Sequence, residues 1–119
     1  MHPLLLLGFR VAFVIAIVLM TLATLSKPDP NVHGLINDKV AHILGFFILS
    51  FVTHCAFPQS SMTKKMILLI GYGMAIEIAQ SFTGYRYFSW LDWLADIAGV
   101  LAFQPLAKPT VNWFASWAK

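Results

Sequence analysis

The chain has 119 residues, of which 59% are hydrophobic and 11% charged, and its mean hydropathy is +0.75. A soluble domain carries about 25% charged residues, so this composition excludes an ordinary soluble fold and indicates an integral membrane protein with a single domain over residues 1–119. The net charge of +3 is too small and too dispersed for a nucleic-acid partner, and the lone cysteine, Cys55, forms no internal disulfide and reads as a small buried hydrophobe.

In chain order, the first apolar run predicts a span over about residues 4–25, interrupted only by Arg10. The run is too long for a secretory signal, and its start lacks the basic residues that one needs. Arg10 lies roughly 22 Å from Leu25 along a helix, at the edge of a bilayer, where its side chain can snorkel to water. A polar loop follows, in which Pro28, Pro30 and Gly34 forbid helix. Asn37 or Asp38 is placed to cap the next helix. The second span covers about 40–57 and ends at Pro58. The third, 66–82, is entered from Lys64 and Lys65. The fourth, 90–106, is expected to close at Pro105 and Pro109. Trp113 and Trp117, one turn apart beyond it, predict a short interfacial helix. The fold expected is an all-α membrane protein, a bundle of four transmembrane helices.

Four spans put both termini and the central turn on one side. That side carries Arg10, Lys64, Lys65, Lys108 and Lys119 and no carboxylate. The other carries Lys27, Lys39 and Arg86 with Asp29, Asp38, Glu77, Asp92 and Asp96. The positive-inside rule then makes both termini cytoplasmic. Three helices thereby send polar residues to one depth on the outer side.

Ionisable groups inside a span are costly unless they pair or face water. Glu77 is the deepest, roughly 8 Å inside its helix end, and Gln80 shares its face. Asp92, Asp96 and Gly99 share another face, where the glycine admits a neighbouring helix. His42 shares a face with Asp38 and Phe46. Plainer readings stand beside these. Ser89 and Asp92 have capping-box spacing; Asp38 and Lys39 fit simple interfacial solvation; His42 fits a satisfied polar core residue. Tyr85, Tyr87, Phe88, Trp90 and Trp93 fit an aromatic belt.

Three chemistries suit the set. His42, Glu77, Asp92 and Asp96 can ligate a divalent metal. His42, Glu77 and Asp92 can instead run acid–base catalysis. Or Lys39 and Arg86 hold a phosphate head group while Asp38, Gln80, Asp96 and the other carboxylates bind sugar or amine. Neither a His-Glu-x-x-His metal motif nor a Gly-x-Ser-x-Gly nucleophile motif is present.

The ordered set Asp38-Lys39-x-x-His42 with Phe46-Phe47, Glu77-x-x-Gln80, Arg86, and Asp92-x-x-x-Asp96-x-x-Gly99 resembles the VanZ-like family over about residues 36–103. Many relatives have Asn where this chain has Asp96, which adds an acid here. The resemblance implies a small multi-pass helical protein of the bacterial inner membrane, in a family named for a member tied to teicoplanin resistance. The leading expectation is binding of an envelope lipid or cell-wall precursor. The alternatives are a membrane-embedded hydrolase or transferase, and a structural accessory protein. Gly71, Gly73 and Gly99 also suit homo-oligomerisation.

Overall fold

A computed structural model describes residues 2–26, 38–84 and 87–117. Among these the chain is all-helical: α1 Pro3–Leu25, α2 Asp38–Ala56, α3 Met62–Ser81 and α4 Trp90–Ser116. The first three lie close to the expected spans.

Helix α1 starts on Pro3, which lacks only an N–H that a helix start leaves unused, and the His2 ring accepts from the Leu4 N–H at 3.1 Å. It stops where Ser26 turns extended and bonds back to the Leu22 carbonyl. None of its residues is buried, and Leu4, Leu7, Val11, Val18 and Leu22 stand exposed. Its inner side, Phe13, Ala16, Ile17 and Met20, rests on a core of Phe46, Leu49, Leu69, Ile76 and Val100.

Helix α2 is the centre of the bundle, in contact with each of the other three helices, and packs most extensively on α4. Gly99 is the reason. A Cβ there would sit 2.3 Å from the Ile43 carbonyl oxygen and 3.0 Å from the Phe47 nitrogen, so the two backbones touch. Between lipid-embedded helices the drive is close packing rather than expulsion of water. Gly73 is likewise used inside the chain, against Asp96 and Phe46, whereas nothing lies within 4 Å of a Cβ on Gly71.

Helices α1 and α2 (from Lys39 to Ala56) are long and apolar enough to cross a membrane. Helices α3 and α4 carry ionisable residues that they bury: Lys65 and Glu77 on α3, Asp92 and Asp96 on α4.

One expectation about α4 is corrected. Pro105 and Pro109 lie inside it, and the residues read as a separate interfacial helix continue the same rod to Ser116. Proline in a helix interior removes one ladder bond and costs roughly 3 kcal/mol. Just before the first proline the Gln104 side-chain amide donates to the Val100 carbonyl at 2.6 Å. Trp113 and Trp117 remain exposed and pack edge to face, 4.6 Å between centroids.

The two ends of the bundle differ in charge. At one end the Arg10 Nε donates to the Ala56 carbonyl at 3.0 Å, and the Lys65 Nζ donates to the Phe57 carbonyl at 3.0 Å. Both cations meet the C-terminus of α2, the negative end of its dipole. At the other end lie Lys39, His42, Glu77, Asp92 and Asp96.

Candidate functional site

The site begins with the N-terminus of α4. Ser89 is its N-cap, and the Ser89 Oγ accepts from the Asp92 N–H at 3.2 Å. In a complete capping box the acidic residue at the third position would accept in return from the N-cap N–H. Here the Ser89 N–H donates instead to Glu77 Oε2, 3.2 Å away on α3. Glu77 thus closes the box from another helix, and the Asp92 carboxylate is left to point elsewhere. It forms an ion pair with Lys39 of α2 through Oδ1, and its Oδ2 lies 4.0 Å from His42 Nε2.

His42 stands between the two aspartates. Its Nδ1 is 2.6 Å from Asp96 Oδ1. With Asp96 ionised, Nδ1 carries a proton and donates to it, and Nε2 faces the Asp92 carboxylate. A carboxylate behind an imidazole is the arrangement that orients a metal ligand or a general base. Gly73 opposite gives Asp96 its room: a Cβ there would be 3.0 Å from Asp96 Oδ2.

His42, Glu77, Asp92 and Asp96 are all buried, and Glu77 and Asp96 are 0% exposed. Glu77 Oε1 has no hydrogen-bond partner among the described residues. His42, Glu77 and Asp96 each offer a ligand atom within 4.8 Å of the others, a spacing that admits one cation. Among the described side chains, three carboxylates gather here with one ammonium and one imidazole. Buried charges in that ratio need a proton, a cation or a cationic ligand to balance them. Lys39, with a side chain 42% exposed, forms the open lip.

The remaining candidates divide. Gln80 is buried, but its Nε2 donates to the Thr24 carbonyl at 2.6 Å and so ties α3 to the end of α1. Arg86 lies outside the described residues, and of Asp38 only the backbone, as the first residue of α2, is described. Trp93, expected in an aromatic belt, donates its indole N–H to the Ile70 carbonyl at 3.1 Å and joins α4 to α3. Tyr72 bonds Thr21 at 2.5 Å.

The VanZ/LLP1 family description matches residues 6–108. The chain belongs to the VanZ/LLP1 family. The match takes in most of α1 as well as the three helices that carry the polar set. An uncharacterized protein of Schizosaccharomyces pombe, C11E3.10, is 36% identical over 89 residues. The aligned region is 71% of this VanZ/LLP1 chain and 55% of the yeast protein, so the match covers about half the relative's length. No solved structure matches significantly.

Sequence reasoning missed a second polar group in this VanZ/LLP1 chain. Ser50 and His54 of α2 are buried and bonded to Gln104 of α4, His54 Nε2 to Gln104 Oε1 at 3.1 Å and Gln104 Nε2 to Ser50 Oγ at 3.2 Å. The signal available was Ser50 and His54 at i, i+4 on one helix face.

Proposed function

We propose that this VanZ/LLP1 protein is a four-span membrane protein, both termini cytoplasmic, that binds the polar head group of an envelope lipid in an outward-facing site. Glu77, His42, Asp92 and Asp96 receive the cationic or hydroxyl-bearing part of the head group. Lys39, at the lip, meets its phosphate. The observation that carries the reading is the fully buried Glu77, one of whose carboxylate oxygens has no hydrogen-bond partner among the described residues, beside two further carboxylates. An oxygen so placed is costly to leave unsatisfied unless a ligand comes to it. Exclusion of water from the cluster would make such a contact stronger than it would be at a surface.

The yeast relative favours a lipid over a wall precursor as ligand. Its phospholipids are shared with bacteria and its wall precursors are not. A location in a bacterial inner membrane and a link to glycopeptide resistance belong to the same reading and rest on the family resemblance alone.

Mass spectrometry of the lipids that co-purify with the wild type and with Glu77→Gln tests the assignment. A head-group class retained by the wild type and lost from the variant is expected. Equal lipid profiles with a lower melting temperature for the variant would leave the cluster as a structural lock between helices.

A second reading has its own observation. His42, Glu77 and Asp96 fall within the spread of one coordination sphere, and the orienting carboxylate behind His42 suits a metal site. A divalent ion there would polarise a phosphate ester for hydrolysis or transfer. Metal analysis of the purified wild type and His42→Ala separates the two. Stoichiometric metal lost in the variant selects the enzyme, and metal-free wild type that still retains lipid selects the binding protein.

A further inference from the structure

The opposite end of the bundle holds a cleft that the proposed function does not use. Its volume is about 380 Å³, and its walls include His54, Ser60, Met62, Lys65, Lys108 and Asn112. It lies where the end of α2, the start of α3 and the last third of α4 meet.

Its charge is one-sided. Lys65 is only 5% exposed, yet among the described residues its ammonium has one hydrogen bond, to the Phe57 carbonyl. An ammonium has three N–H donors, so donors remain. Lys108 adds a second cation from α4. Every carboxylate among the described side chains, Glu77, Asp92 and Asp96, is at the other end. The dipoles do not cancel this excess. The negative end of α2 is met already by Arg10 as well as Lys65. The N-terminus of α3, capped by Ser61 through the Lys64 N–H at 3.1 Å, brings its own partial positive charge. Lys65 meets no counter-charge among the described residues, and a buried lysine so placed is a costly arrangement that an anion relieves.

We propose that this cleft binds a phosphate group, held by Lys65 and Lys108. Ser60 and Asn112 supply neutral donors at the rim. Arg10 stays outside the contact, because its guanidinium is on the Ala56 carbonyl and over the Phe57 ring, 5.5 Å from the centroid. The phosphate is either that of an anionic lipid or that of a soluble molecule, and the cleft's chemistry is the same for both. The assignment does not depend on the reading of the Glu77 site.

The test is native mass spectrometry of the full chain released from nanodiscs of phosphatidylcholine alone or mixed with phosphatidic acid. A parallel titration uses inorganic phosphate in phosphatidylcholine discs. The variants are Lys108→Gln, at an exposed position, Lys65→Gln, and Lys65→Arg, which keeps the charge. The wild type is expected to retain phosphatidic acid. Lys108→Gln lowers the affinity about tenfold, the loss of one charge-assisted hydrogen bond, at an unchanged melting temperature. Lys65→Gln lowers it as well, and Lys65→Arg restores it. Binding of inorganic phosphate that weakens in Lys108→Gln, with no retention of phosphatidic acid, supports the site and assigns it to a soluble phosphate. Equal retention of both ligands by wild type and Lys108→Gln, or retention of neither by the wild type, overturns the proposal.

Discussion

Glu77 and Asp92 exchange the roles that their positions suggest. Asp92 has the spacing to close its own capping box, and Glu77 closes it instead from α3 through the Ser89 N–H. The two acids are thereby fixed in different ways, one by a backbone donor and one by Lys39. Asp96 has a third attachment, the His42 ring. Asp96→Asn leaves an amide oxygen to accept from His42 Nδ1, so the fold is expected to persist with a melting temperature within a few degrees of wild type. The same substitution removes one charge, and any bound divalent ion should fall by at least about tenfold, the scale on which a lost orienting group weakens metal affinity. Metal content measured beside thermal melting reads both outcomes. Asp96→Asn protein that keeps full metal loading would remove Asp96 from the ligand set.

Helix α4 shows how single positions govern an element. Its start depends on Ser89, and Ser89→Ala is expected to cost about 1 kcal/mol of stability. Differential scanning calorimetry in detergent measures that loss. Its seat on α2 depends on Gly99. Gly99→Ala drives a methyl to 2.3 Å from the Ile43 carbonyl, so the helices must part, at a cost of about 1–3 kcal/mol. Gly71→Ala is the matched control: nothing is within 4 Å, and alanine is the better helix former by about 1 kcal/mol. The two variants should move the melting temperature in opposite directions. Equal shifts would mean that the α2–α4 contact is not what holds the bundle. Any partner copy that packs through small residues has Gly71 to use, since Gly73 and Gly99 are occupied within the chain.

At the scale of the molecule, the proposed orientation rests on the contrast between the acidic and basic ends. Position 64 is exposed at the basic end and Tyr87 is exposed beyond α3 near the acidic end. The native Cys55 is buried at 0% exposure and gives a quiet background for thiol labelling. In intact cells an impermeant maleimide should label Tyr87→Cys and leave Lys64→Cys untouched until the membrane is opened. The reverse pattern would turn the topology over and move the Glu77 site to the cytoplasmic face. The two candidate sites sit at opposite ends, so ligands at one are expected to leave the other's affinity unchanged unless α2, shared by both, shifts along its axis.

Much of this was legible in the residues. Low charge and long apolar runs pointed to an all-helical chain, and α1 and α2 are long and apolar enough to cross a membrane. The 3.6-residue period put Asp92, Asp96 and Gly99 on one face and pointed to close packing at Gly99. The order of Asp38, Lys39, His42, Glu77, Gln80, Arg86, Asp92 and Asp96 carried the family resemblance. What the sequence could not supply was the choice of partners across helices, because intrahelical geometry repeats locally while rotation and crossing are set by packing. Only the tertiary structure joined Glu77 to Ser89, His42 to Asp96 and Lys39 to Asp92, and turned Gln80 to Thr24. It also carried α4 through Pro105 and Pro109, where local propensity alone ends a helix. And it buried Lys65, a residue whose sequence position marked only a membrane edge, in the wall of a cleft with no carboxylate among its lining residues.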